Sequence, residues 1–163
     1  MRTGIGFDVH RFEEGRRLVL AGIEFPGEIG LLGHSDADAL THAVIDALLG
    51  AAALGDIGRH FPPDDERWRD ASSLELLRRV RAILEGEGYQ PVNIDVSLVA
   101  ERPRIGPTVD AMRQNLASTL GIGVDAVSIK ATTAERLGAI GRVEGVAAWA
   151  VALVDRMDDT GSP

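Results

Sequence analysis

Residues 3–10 read TGIGFDVH, and this alternating stretch decides how the chain begins. Successive side chains on a strand point to opposite faces. Asp8 and His10, two residues apart, can therefore converge on one point while Val9 faces the other way. Two oxygen and nitrogen donors need a third to hold a catalytic divalent metal, and zinc sites combine His with carboxylate and keep one position open. Iron held by a facial triad uses the same ligand types, and a plain strand end carries such residues too.

Working outward from this strand, RRLVLAGIEF (16–25) reads as a second strand and PGEIGLLG (26–33) as a Gly/Pro-rich loop. Residues 35–54 carry a helical period, with Leu40, Val44, Ala47, Leu48 and Ala51 on one side. Ser35-x-x-Asp38 resembles a capping box, with Ser35 as N-cap. GDIGRHFPPDDERWRDAS (55–72) has no apolar period and reads as a long loop containing His60, of a length that is usually functional or mobile. A second helix runs over 73–89, stopped by Gly86 and Gly88. PVNIDVSLVA (91–100) alternates, placing Val92, Ile94, Val96 and Leu98 inward. Pro107 opens a third helix closed by Gly121, and strands are expected at 126–132 and 146–154 with a short helix or loop between. The expectation is one α+β domain over 1–155, a mixed sheet with helices packed on one face, and an unstructured tail at 156–163.

Composition narrows the function. A net charge of −8 argues against non-specific binding to nucleic acid or anionic membrane, so an anionic ligand would need a metal or a local cluster of cations. The absence of cysteine excludes thiolate sites and fits a reducing cytoplasm. The start MRTGIGFDVH has no apolar targeting core, and no run of apolar residues is long enough to span a bilayer.

The best third metal ligand is His42, in the stripe Asp38–His42–Asp46, whose members share a helix face. Asp38 or Asp46 could accept the other ring N–H of His42, although the stripe also reads as a solvated face. Lys130 is the only lysine among 17 basic residues, which hints at a place for a compact ammonium. It lies in IKATTAERLG (129–138), where hydroxyls, a lysine and a carboxylate meet at a strand-to-helix junction. Phosphate with Mg²⁺ needs such groups, and Thr132-x-x-Glu135 is equally a capping box. AERPRIGP (100–107) could offer backbone groups and two arginines to a nucleotide, or form an ordinary loop.

Together GFDVHRF (6–12), the run from Gly33 to Pro62, VAERPRIGP (99–107) and IKATTAERLGAIGRVEG (129–145) resemble the 2-C-methyl-D-erythritol 2,4-cyclodiphosphate synthase family of isoprenoid precursor synthesis. The resemblance runs from Thr3 to about Val154. It implies a homotrimer with active sites between subunits, and zinc on Asp8, His10 and His42. It puts His34 and Ser35 beside the substrate phosphates, and Asp56, Ile57, Gly58, Phe61 and Asp65 around the methylerythritol moiety. Ala100, Pro103, Arg104 and Ile105 match residues that hold cytidine. Lys130, Thr132, Thr133 and Arg142 match the region that meets the diphosphate, with Glu135 as ligand to Mg²⁺ or Mn²⁺. The residues it ties to catalysis are His34, Ser35, Thr133 and Glu135.

The implied substrate is 4-diphosphocytidyl-2-C-methyl-D-erythritol 2-phosphate, whose 2-phosphate attacks its own β-phosphorus and expels CMP. No Ser-His-Asp or Cys-His set supplies a protein nucleophile, and none is needed. A metal-dependent phosphohydrolase and a non-catalytic nucleotide-binding trimer are the alternatives. The chain departs from the family pattern at FPPDD (61–65), where FPDTD is usual. Pro63 thus replaces an Asp expected to meet substrate hydroxyls, leaving Asp64 or Asp65 to cover for it. RDASS (69–73) replaces KGADS, Arg104 a common Lys, and Ala139 an aromatic that some members carry near the trimer axis.

Overall fold

The computed structural model describes residues 1–157. The opening alternation forms β1 (Arg2–Glu13). The single strand expected over 16–25 is instead a small hairpin of β2 (Val19–Leu20) and β3 (Ile23–Glu24). Its two turn residues, Ala21 and Gly22, have φ of 47° and 71°, the paired positive φ that a tight two-residue hairpin uses. Strand β4 (Gly30–Leu31) then pairs with the end of β1.

Helix α1 (Ala39–Ala52) starts later than the Ser35 cap predicts. Asp38 is the N-cap, accepting from Thr41 N at 3.0 Å and from the Thr41 hydroxyl at 2.7 Å. The expected apolar stripe is buried, but so is almost every other residue of α1. A helix enclosed on nearly all sides is a core helix, so the Asp38–His42–Asp46 stripe is not a solvated face: Asp38 and His42 are buried and Asp46 is half-buried.

The loop at 55–72 holds α2 (Ile57–His60) and a single 3₁₀ turn at Glu66–Trp68. Asp56 and Asp65 cap them by accepting from Arg59 N and Arg67 N. Next come α3 (Ser73–Gly86), β5 (Tyr89–Val99), α4 (Val109–Leu120), β6 (Val127–Thr132), α5 (Gly138–Gly141) and β7 (Gly145–Arg156). Val92 is exposed, contrary to the alternation. A bulge between Pro91 and Asn93 leaves it outside the ladder and shifts the inward phase to begin at Ile94. Strand β7 continues through Arg156, which pairs with Tyr89 and lies 4.7 Å over its ring, so that part of the expected tail is sheet. Residues 158–163 of the tail lie outside the described residues.

The main sheet runs β4-β1-β7-β5-β6, and only the β5–β6 pair is parallel, joined through α4. Helix α1 lies directly on β1 and β7, and Gly4 and Gly6 make this possible. A Cβ at Gly4 would sit 2.1 Å from Ala47 O, and one at Gly6 2.0 Å from Ala43 O. The helix backbone therefore rests on the strand backbone, with Asp8 and His10 next along the same face. The opposite face exposes Ile5, Phe7 and Val9 of β1 and Trp149 and Val151 of β7, with Phe7 and Trp149 rings 4.7 Å apart. Among the described residues no helix is long and apolar enough to cross a membrane.

Candidate active site

Close packing of α1 on β1 brings His42 to the pair on the strand. His42 Nδ1 and His10 Nε2 each lie 3.0 Å from Asp8 Oδ2, and 3.3 Å from each other. The other nitrogen of each ring is engaged. His10 Nδ1 donates to Leu32 O at 2.6 Å, and His42 Nε2 faces the hydroxyls of Ser35 at 3.1 Å and Ser73 at 2.9 Å. With those outer nitrogens donating, both rings turn lone pairs toward a carboxylate oxygen. Three acceptors this close need a proton or a cation between them. Two imidazoles and a carboxylate fit Zn²⁺ with a position left open, and among the described residues this is the group of His and carboxylate donors placed to hold a metal.

Electrostatics agree. Burial alone would raise the Asp8 carboxyl, but hydrogen bonds and charge from His10 and His42 outweigh it and hold it well below the usual range. Burial would lower His10, yet Asp8 and the Leu32 carbonyl raise it above its ordinary 6.5. Without metal, then, the Asp8–His10 ion pair stabilises the fold below pH 6.5, and that contribution is lost as pH rises through the raised His10 value. Bound metal must also displace that proton, so its affinity rises with pH over the same window. The gain in melting temperature on adding Zn²⁺ to the stripped protein is expected to grow between pH 6 and pH 8. A gain that stayed flat or shrank would contradict the arrangement of these three side chains.

The acceptor predicted for His42 is not the one found. Asp38 spends its carboxylate on Gly22 N, Thr41 N and the Thr41 hydroxyl, and Asp46 accepts from Ile57 N at 2.8 Å. Burial pushes both carboxyls up, in Asp38 with help from the charge of Asp36. Helical spacing places these residues on the side of His42, but its imidazole reaches away from the helix to Ser35 and Ser73.

The three donors open into a cavity of about 240 Å³. His34 and Ser35 line it on the polar side, and Ile57, Gly58, Phe61, Pro63, Trp68 and Leu76 form an apolar wall. His34 Nε2 is tied to Asp65 O at 3.1 Å, and Trp68 stands edge-on to Phe61 at 5.1 Å. Two expected residues are turned elsewhere. The Asp56 carboxylate caps α2, and that of Asp65 is bound by Arg67 at 2.6–3.0 Å, which holds it below the ordinary carboxylate range. Asp64 is exposed. His60, expected in a loop, is instead the last residue of α2 and donates to Leu54 O.

A second cluster forms at the ends of β5 and β6. Ala100 N donates to Thr132 O, and the Thr133 hydroxyl donates to Glu135 at 2.8 Å. Glu101 accepts from Ala134 N and Arg136 N, pinning the turn in which Glu135 and Arg136 have φ of 50° and 62°. Pro103 and Ile105 are buried beside it, and Arg104 is exposed. Lys130 is paired with Asp95, and Arg142 with Glu144 at 2.6 Å. Register places the two clusters apart: Asp8 faces Ala148, Ala148 faces Leu98, and Leu98 faces Ala131. Three strand spacings amount to about 14 Å.

The sequence profile of the YgbB family matches residues 1–155. The chain belongs to the YgbB family. A curated YgbB-like relative, the 2-C-methyl-D-erythritol 2,4-cyclodiphosphate synthase of Chlorobaculum tepidum, is 59% identical over 155 residues, covering 95% of this chain and 99% of that one. A solved structure of a synthase of the same name, with CDP bound, superposes with a TM-score of 0.86 at 40% identity, covering 94% of this chain and 100% of that one. The bifunctional IspDF of Campylobacter jejuni superposes at 0.92 with 42% identity over 96% of this chain, which spans only 42% of that longer protein.

Leu32, Asp36, Trp68, Ser73 and Leu76 are the site residues that sequence reasoning missed. Ser73 reads as the start of a helix, and its contact with His42 spans 31 residues. No local spacing could have signalled it.

Proposed function

We infer that this YgbB-family chain converts 4-diphosphocytidyl-2-C-methyl-D-erythritol 2-phosphate into 2-C-methyl-D-erythritol 2,4-cyclodiphosphate and CMP, a step of isoprenoid precursor synthesis. The observation that carries the reading is the converging Asp8, His10 and His42 set, in a chain 59% identical to a synthase of that product. An oxygen of the 2-phosphate forms a bond to the β-phosphorus. The bond from that phosphorus to the bridging oxygen breaks, and CMP leaves with the electron pair. Nucleophile and electrophile belong to one molecule, so the protein's task is positioning and charge neutralisation. Orientation of this kind can supply roughly 7–11 kcal/mol of a barrier.

Asp8, His10 and His42 would hold Zn²⁺, and Glu135 would hold Mg²⁺ or Mn²⁺ through the nucleotide phosphates. Such cations supply Lewis-acid polarisation of phosphoryl oxygens and offset the net charge of −8. His34 and Ser35 stand on the polar rim beside the phosphates. Ile57, Phe61 and Trp68 offer the methylerythritol an apolar wall that keeps competing water out. Ala100, Pro103, Arg104 and Ile105 take the cytidine, and Lys130, Thr132, Thr133 and Arg142 face the diphosphate. The lack of cysteine fits a reducing cytoplasm, where this account places the enzyme.

The active form is a homotrimer with its sites between chains. Paired catalytic cations lie about 4 Å apart, whereas the two clusters of one chain are about 14 Å apart by strand spacing. In this reading a second copy brings its Glu135 cluster to the first copy's Asp8–His10–His42, as the family resemblance implies. The uncovered Ile5, Phe7, Val9, Trp149 and Val151 face is of the apolar kind that subunits bury. Purified chain given both metals is expected to release CMP, and His42→Ala and Glu135→Ala chains alone are not. Co-assembled in equal amounts, the two variants should recover activity at about a quarter of the sites, because each intact site draws on two chains. Active single-chain species, or no recovery in mixed assemblies, would contradict the shared site.

A further inference from the structure

We propose that Ser73, held by Asp36, is the positioning residue that fixes the His42 ring with Nδ1 toward the metal site. This rests on the metal reading given above. The argument is hydrogen-bond accounting. Both oxygens of Asp36 already accept backbone N–H groups, Oδ1 from Asp38 at 3.3 Å and Oδ2 from Ser73 at 3.0 Å. The Ser73 hydroxyl makes a close contact with the same Oδ1, so its one hydrogen goes to Asp36. Ser73 Oγ can then meet His42 Nε2, 2.9 Å away, only as an acceptor. Nε2 must carry the ring proton, and a neutral imidazole has only one. The lone pair is thereby assigned to Nδ1, the atom that faces Asp8 Oδ2.

Ser35 also touches Nε2, at 3.1 Å, and accepts from Ala37 N. The two hydroxyls are nonetheless placed differently. Ser35 lines the cavity, where a ligand can compete for it, while Ser73 is fully buried and bonded at both its N–H and its hydroxyl. Ser73 is also the first residue of α3, directly after the 61–72 segment that supplies the cavity's apolar wall. One residue thus anchors the end of that wall and sets the direction of a metal ligand contributed by α1.

Residues that orient a metal-bound histidine typically change metal affinity by 10–100-fold when removed. Ser73→Ala is therefore expected to bind Zn²⁺ at least tenfold more weakly in chelator competition, with circular dichroism unchanged. In ¹⁵N-histidine-labelled protein, the His42 ring is expected to show a single Nε2–H tautomer in the parent and a mixture in Ser73→Ala. Ser73→Thr, which keeps the hydroxyl, should restore the single tautomer and most of the affinity. Ser73→Ala affinity within twofold of the parent, or weakened affinity with an unchanged tautomer, would overturn the proposal. A parent that binds Zn²⁺ no better than His42→Ala would instead remove the metal reading beneath it.

Discussion

His42→Ala is expected to lower turnover by about a thousandfold or more and to empty the metal site. Lewis-acid polarisation at a phosphoryl oxygen is worth several kcal/mol, and each 1.36 kcal/mol is about a factor of ten in rate. His42 is the ligand contributed by the helix, and without it Asp8 and His10 remain as a two-donor pair on one strand. The variant also removes a buried ring that contacts Asp8, Ser35 and Ser73, so the metal-free chain should lose stability too, and turnover is compared per folded protein. Turnover is read from CMP release and occupancy from metal analysis of the same preparation. Full turnover by a zinc-depleted His42→Ala chain would show that the cluster is not part of the reaction.

Gly6→Ala is expected to be the most damaging substitution to the fold. Its Cβ would lie 2.0 Å from Ala43 O and 2.6 Å from Ala47 N, both backbone atoms of α1 that cannot rotate aside. Overpacking of this kind costs about 3 kcal/mol, which lowers the melting temperature by roughly 6–12 °C in a protein of this size. The helix must also lift off β1, carrying His42 from Asp8 and His10, so Zn²⁺ affinity should fall with stability. Gly50→Ala is the control. Gly50 is exposed on the same helix, and its nearest neighbour to an added Cβ is Ile5 O at 3.9 Å. That substitution should be neutral or stabilising by up to about 1 kcal/mol from helix propensity. Equal effects at the two positions would mean that the close approach of helix and strand does not set the site.

These two predictions also mark what could be read before the structure. A period of two put Asp8 and His10 on one strand face, and a period of four put His42 on a helix face. A strand end and a solvated face fit the same spacings, and the family resemblance was what joined the three. Such periodicities survive folding because they are properties of local backbone geometry. The same period misled at Asp38 and Asp46, since it fixes a side of the helix but not the direction of an imidazole. Val92 fell on the wrong face because a bulge at Pro91 broke the alternation. Ala21 gave no turn signal, and only the neighbouring Gly22 hinted that 16–25 was a hairpin. Ser73 and Asp36 were invisible for another reason: their roles depend on contacts across 31 and 37 residues. The glycines of GIG could be quoted from the sequence, but the helix backbone they admit could not.

The central claim is that the substrate's own phosphate, and not water, attacks the β-phosphorus in a metal site built on Asp8, His10 and His42. Phosphorus NMR of purified chain incubated with Zn²⁺, Mg²⁺ and 4-diphosphocytidyl-2-C-methyl-D-erythritol 2-phosphate tests it directly. The account predicts CMP together with the coupled resonances of a cyclic diphosphate, both lost in His42→Ala. CMP accompanied by an open-chain bisphosphate would mean that water is the nucleophile, and would contradict it.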